Sequence, residues 1–145
     1  MRRTAVFVLA ALTLMPAPAP AQALPPHAAL FGTWTGGLFP VPSTLSTQAC
    51  LSQPVVIFTR DLVLRATLTE QTLTQREIES VRVQSGTDEF RFRPIAQGPA
   101  TLTAGARSPG FGCEGPDMLH VQRRGENEIS FPNCADFPNP LVRCH

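Results

Sequence analysis

The chain has 145 residues, 43% of them hydrophobic, with twelve Lys plus Arg against eleven Asp plus Glu and a net charge of +1. This length allows one domain with one hydrophobic core. Nucleic-acid-binding proteins carry a strong basic excess on one face, and the near balance of charge here excludes that class. We therefore expect no nucleic-acid partner.

The first 23 residues have the three parts of a secretory signal peptide. Arg2-Arg3 gives a basic start, residues 4–15 form an apolar run, and Ala21-Gln22-Ala23 is a small-x-small cleavage site. A membrane-spanning helix needs about 20 apolar residues, and this run stops at Pro16. The sequence predicts a periplasmic or secreted protein without a membrane anchor after cleavage. The mature chain would have 122 residues and a net charge of −1.

The segment that follows the cleavage site contains two consecutive prolines. Proline has no backbone N–H to donate, so we expect residues 24–30 to form a flexible N-terminal segment. The remainder, 31–145, is predicted to form a single β-barrel-like domain. Its first strand is predicted at 31–35, where glycines follow. Residues 38–54, rich in proline and serine, are expected to form a long loop.

The clearest strand signals come next. Residues 55–59 are β-branched and aromatic, and residues 62–69 alternate so that Leu62 and Leu64 share one face. Two such runs joined by Arg60-Asp61 predict a hairpin. Residues 73–84 are ambiguous between a short helix and a strand, and the alternation at their end favours a strand.

Further strands are predicted along the second half of the chain. Phe90 and Phe92 alternate with arginines, a short strand is expected at 101–104, and residues 118–123 and 128–131 read as strands joined by a turn at Gly125. About seven to nine short strands at regular intervals are typical of an all-β sandwich or barrel. The predicted fold class is a single small antiparallel β-barrel or sandwich.

Four cysteines remain after the signal peptide is removed. An even number in a small exported chain predicts two disulfides, and four cysteines allow three pairings. We prefer Cys134 with Cys144, which closes a short proline-rich loop, and Cys50 with Cys113, which ties the first third of the domain to the last. A zinc site using the cysteines is disfavoured because no C-x-x-C or H-x-x-x-H spacing occurs.

The tripeptide Gly32-Thr33-Trp34 contains the single tryptophan of the chain. A Gly-x-Trp on the first strand of a small exported all-β chain resembles the calycins, the lipocalin-like barrels. The resemblance implies that Trp34 closes one barrel end, with an arginine from the last strands, Arg123 or Arg124, across its ring. The mature chain is short for a ligand-holding lipocalin, which leaves open an interior filled by side chains.

The size is closer to that of a smaller relative of the same structural class. These are periplasmic inhibitors that block secreted metalloproteases by inserting a mobile N-terminal segment into the protease cleft. The resemblance implies that residues 24–30 could have this role. A ragged terminus without a function is the alternative for the same segment.

No motif for catalysis is found in the sequence. His120 is interpreted as an exposed or hydrogen-bonded strand residue, since no nucleophile motif accompanies it. The carboxylate pairs Glu77 with Glu79 and Asp88 with Glu89 are interpreted as charges on a solvent face. We therefore expect no enzyme activity, no cofactor and no metal.

Two hypotheses for function follow from these observations. The first is a monomeric, exported, non-catalytic binding protein, lipocalin-like, for an unknown small ligand or protein. The alternative is a periplasmic protease inhibitor that acts through the N-terminal segment.

Overall fold

The chain forms a closed antiparallel β-barrel of eight strands in a computed structural model, which describes residues 23–40, 50, 54–67, 73–94, 113 and 115–144. Each strand pairs with its neighbours along the chain, and the last strand pairs with the first. The strands are β1 Gly32–Gly36, β2 Val55–Phe58, β3 Leu62–Ala66, β4 Thr74–Gln84, β5 Thr87–Phe92, β6 Met118–Arg123, β7 Glu128–Ser130 and β8 Leu141–Arg143. Closure leaves no sheet edge exposed to another chain.

The predicted fold class is confirmed, and so is the strand at 73–84, which is β4. β6 has the predicted bounds. β8 was not predicted, because three residues between a proline-rich loop and a cysteine give little alternation to recognise. The strand expected at 101–104 lies outside the described residues. No helix within the described ranges is long and apolar enough to cross a membrane.

The barrel interior is filled by apolar side chains. Phe58, Phe90, Phe92 and Phe131 are all buried, and their rings contact one another in pairs, with centroids 5.4–6.4 Å apart. The alternation of β5 therefore directs its phenylalanines inward and Arg91 outward, as expected. In β3 Leu62 and Leu64 do share a face, but this is the half-buried outer face, and Val63 between them is buried.

The two ends of the barrel have different connections. A 3₁₀ turn, Ala28–Leu30, lies at the end where β1 begins, and we call residues 27–30 the lid. Short turns at 59–61, 85–86 and 124–127 share this lid end with the start of β1 and the last residues of β8. The connections that follow β1, β3, β5 and β7 leave the barrel at the opposite end, the loop end, although Cys50 of the first of them is bonded to Cys144 beyond the end of β8.

The disulfide pairing differs from the predicted one. Cys50 is bonded to Cys144 and Cys113 to Cys134, where we had paired Cys50 with Cys113 and Cys134 with Cys144. The unpredicted strand β8 is the physical reason. It runs from the loop end to the lid end, so it carries Cys144 away from Cys134. Cys134 instead meets Cys113, and both belong to loop-end connections.

Candidate binding site

Trp34 lies beneath the lid and joins it to the barrel. Its indole is fully buried, and the indole Nε1–H donates a hydrogen bond to the Leu30 carbonyl at 2.8 Å. The Arg143 guanidinium lies over the indole ring, with its central carbon 4.3 Å from the ring centroid. The same guanidinium donates to the carbonyls of Ala29 and Phe31, the latter at 2.6 Å. Arg143 therefore connects the lid to Trp34 by hydrogen bonds to the backbone and by stacking on the indole ring.

The arginine over the tryptophan ring is thus Arg143, and not Arg123 or Arg124 as we predicted. Arg123 donates from Nη2 to Asp88 Oδ1 at 3.0 Å, and Arg124 donates from Nε to Ser130 Oγ at 3.2 Å. The prediction of an arginine from the last strands led to the wrong residues because β8 had not been recognised. Without β8, the last strand that alternation predicts is β7.

A second buried polar group lies near the lid. Asp88 is fully buried and pairs with Arg123, so its interpretation as a solvent-face charge is wrong. Burial raises the pKa of Asp88, while the charges of Arg123 and His27 and the hydrogen bond from Arg123 oppose the rise. Strand alternation predicts that Asp88 points into the barrel, since it stands two positions before the inward Phe90.

An open cleft of about 940 Å³ lies between the lid and the turn that joins β6 to β7. It has an apolar floor and an arginine-rich rim. Its lining residues include Leu30, Trp34, Ile129, Arg123, Arg124 and Arg143. Glu126 is an acidic residue of the same lining. We call this space the lid-end cleft.

A second cleft of about 520 Å³ adjoins the outer face of β6 and β7. Its lining includes Gln122, Ser130 and prolines of the connection between β7 and β8. Arg124 lines both clefts, and its hydrogen bond to Ser130 places the guanidinium between them. A ligand at Arg124 can therefore extend in either direction.

The predicted N-terminal segment, residues 24–30, contains both buried and exposed residues. His27 and Leu30 are buried, and His27 Nε2 lies 3.1 Å from the Thr59 carbonyl. Leu24, in contrast, has 78% of its surface exposed. The lid therefore contains two buried side chains, whereas Leu24 before it is exposed.

The other residues considered for chemistry lie on the outer face. His120 is about one-third exposed, with Nε2 4.0 Å from Glu89 Oε2. Glu77 pairs with Arg93. No group of three or more potential metal ligands is found among the residues that the structure describes.

Comparison with known proteins found no matching family model, no matching curated protein and no matching solved structure. The fold is therefore described as an eight-stranded closed barrel with two disulfides, without assignment to a family.

Proposed function

We propose that this chain is an exported, non-catalytic binding protein of the lipocalin-like kind that holds a small anionic ligand in the lid-end cleft. The main support for this proposal is that cleft, whose lining combines apolar side chains with three arginines. The Gly32-Thr33-Trp34 stretch and the arginine stacked on its tryptophan support the resemblance to calycins. Two disulfides are compatible with a periplasmic or extracellular location.

The lid-end cleft is a better candidate than the barrel interior. Lipocalins hold ligands inside the barrel, but this interior contains a continuous cluster of buried apolar side chains. The cleft has the usual composition of small-ligand sites, an apolar surface with a few convergent polar groups. A ligand would therefore bind at the mouth of the barrel.

Arg124 is the residue most suited to hold the anionic group. Arg143 is occupied by lid carbonyls and the indole ring, and Arg123 by the buried Asp88. Arg124 is exposed, and within the described ranges its side chain makes one hydrogen bond, which uses Nε. A guanidinium can bind a carboxylate or phosphate through two parallel hydrogen bonds.

The test is calorimetric titration of the purified chain with fatty-acid carboxylates and with neutral alcohols of the same chain length. We expect the carboxylates to bind and the alcohols to bind more weakly. Arg124→Ala should weaken carboxylate binding by about tenfold or more, the usual effect of losing a charge-assisted hydrogen bond. Arg93→Ala is the matched control, because Arg93 is an exposed arginine at the loop end with a surface partner, Glu77.

Two results would contradict this proposal. Equal binding of alcohols and carboxylates would exclude an anion site. Equal loss of affinity in the Arg124 and Arg93 variants would place the ligand elsewhere or indicate a general charge effect.

Protease inhibition is the second candidate function, favoured by the exposure of Leu24 in front of a packed lid. An anchored segment with an exposed apolar tip is suited to enter a protease cleft. Deletion of residues 24–26 should abolish inhibition of exported proteases without lowering the melting temperature, because the buried residues of the lid remain. Full inhibition by the shortened chain would exclude this function.

A further inference from the structure

The guanidinium of Arg124 is hydrogen-bonded at one end and open at the other. Its Nε donates to Ser130 Oγ at 3.2 Å, and neither terminal nitrogen donates to any of the described residues. Because Nε is occupied, we expect an anion to bind end-on, through hydrogen bonds from Nη1 and Nη2 to two of its oxygens. Arg124 lines both the lid-end cleft and the second cleft, so an anion bound there lies where the two meet.

A polar side chain in the wall of the second cleft continues this line of hydrogen bonds. Ser130 Oγ donates to Gln122 Oε1 at 3.5 Å, which leaves the N–H groups of the Gln122 amide without a partner in the described part of the chain. Gln122 is exposed and lines this cleft together with Pro132 and Pro138. A ligand group in the second cleft should therefore carry acceptor oxygens, such as those of hydroxyl groups.

The lid-end cleft suits a different kind of group. Its lining includes the apolar side chains of Leu30 and Ile129, and its volume of about 940 Å³ is the larger of the two. Both side chains belong to the packed core, so an alkyl arm would lie across the lid and the barrel mouth and would not enter the barrel. The two clefts that meet at Arg124 therefore select unlike groups, one apolar and one rich in acceptors.

The charges of the lid-end cleft match a ligand with a single negative charge. Its lining contains three arginines, of which Arg123 is paired with Asp88, and Glu126 is an acidic residue of the same lining. Three positive groups against two negative ones leave an excess of one positive charge among these residues. A phosphate monoester carries a charge of about −1.5 to −2 at neutral pH, whereas a phosphodiester carries −1. The diester is the better match in charge.

We propose, on the basis of the function proposed above, that the ligand is a phosphodiester whose phosphate binds Arg124, with an alkyl arm in the lid-end cleft and a hydroxylated arm in the second cleft. A fatty acid has its carboxylate at the end of the chain, so it can occupy only one of the two clefts. In a phosphodiester the two ester bonds provide one arm on each side. The two remaining oxygens stay available to Nη1 and Nη2.

The experiment compares two ligands by calorimetric titration of the purified chain at neutral pH. Octyl glyceryl phosphate and octyl methyl phosphate have the same charge and the same alkyl arm, and only the first has a hydroxylated arm. We expect the glyceryl diester to bind about five- to tenfold more tightly, the usual effect of one or two additional hydrogen bonds.

Gln122→Ala removes the donors of the second cleft and keeps Arg124. In this variant we expect the two diesters to bind with nearly equal affinity, at the wild-type affinity for octyl methyl phosphate. Gln75→Ala is the matched control, because Gln75 is an exposed glutamine of β4 at the loop end, and it should keep the wild-type ratio of affinities. An unchanged melting temperature in both variants checks that the fold is intact.

Equal binding of the two diesters to the wild-type chain would overturn this proposal, and so would a wild-type ratio in Gln122→Ala. In both cases the function proposed above would stand, provided that Arg124→Ala still weakens the binding of octyl methyl phosphate. If Arg124→Ala leaves the binding of both diesters unchanged, the anion site itself is excluded, and this proposal fails together with that function.

Discussion

The lid end and the loop end of the barrel are closed by different kinds of contact. At the lid end, short turns and a packed segment of four residues are held by hydrogen bonds and by a stacked arginine. At the loop end, Phe137 from the connection between β7 and β8 is buried in the core. The Cys113–Cys134 disulfide then joins two of these connections. The lid, residues 27–30, contains no cysteine, so it can open without breaking a disulfide, which suits this end to binding.

Each end nevertheless has an arginine in a similar role. At the lid end Arg143 lies over Trp34 and donates to the carbonyls of Ala29, in the lid, and of Phe31, which follows it. At the loop end the fully buried Arg76 lies over Phe92, 5.3 Å from the ring centroid, and donates to Pro116 and Asp117. The comparison indicates that a guanidinium between an aromatic ring and a set of carbonyls closes both ends.

The largest expected effect on the free energy of unfolding comes from removing the disulfides, and its size should differ between the two. Replacing Cys50 and Cys144 together by serine opens a bond that spans 94 residues, whereas Cys113 and Cys134 are 21 residues apart. The chain-entropy model gives losses of about 4–5 and about 3 kcal/mol respectively. Denaturant unfolding measures both values. A larger loss for the Cys113 and Cys134 pair would show that closure of the loop end, and not loop length, decides stability.

The two arginines give the next largest effects. Arg76→Ala should cost about 3–5 kcal/mol, because it leaves a cavity where a fully buried side chain packs on Phe92 and removes the partner of Asp117. Arg143→Ala should cost about 2 kcal/mol, since water can reach the lid carbonyls once the side chain is gone. Only the Arg143 variant should also increase the quenching of Trp34 fluorescence by acrylamide, because the indole then becomes accessible. Increased quenching in both variants would mean that the two ends open together.

Most of the barrel can be predicted from alternation along the sequence. β2, β5 and β6 are short runs with period two, and that period also assigns Phe90 and Phe92 to the core. The Leu62 and Leu64 face was identified, but which side of the sheet it occupies depends on the pairing with neighbouring strands. Alternation gives faces, and only closure decides which face is inside.

The candidate site was harder to predict because it depends on one short strand. Because β8 was not predicted, the predicted disulfide pairs and the predicted arginine over Trp34 were both wrong. A three-residue strand is specified by its pairing with β1 and β7, which is not visible in the local sequence. Asp88 was missed for another reason, since a carboxylate is normally placed on the surface and its partner Arg123 is 35 residues away.

The smallest expected effect compares two glycines, one at each end. Gly37 at the loop end and Gly86 at the lid end have nearly the same φ, +86° and +89°, so alanine brings a similar backbone cost, about 1–2 kcal/mol, at both. A Cβ at Gly37 would lie 2.6 Å from Phe137 Cδ1, whereas no atom lies within 4 Å of one at Gly86.

Overpacking of this kind adds about 1–3 kcal/mol, so Gly37→Ala should destabilise the barrel by that much more than Gly86→Ala. The difference between the two free energies of unfolding isolates the fit of Phe137 from the backbone conformation, which is common to both variants. Since Phe137 closes the loop end from within, a large difference means that this end is tightly packed around it. Equal losses would mean that Phe137 can move aside, and that the close fit of its ring does not hold the loop end together.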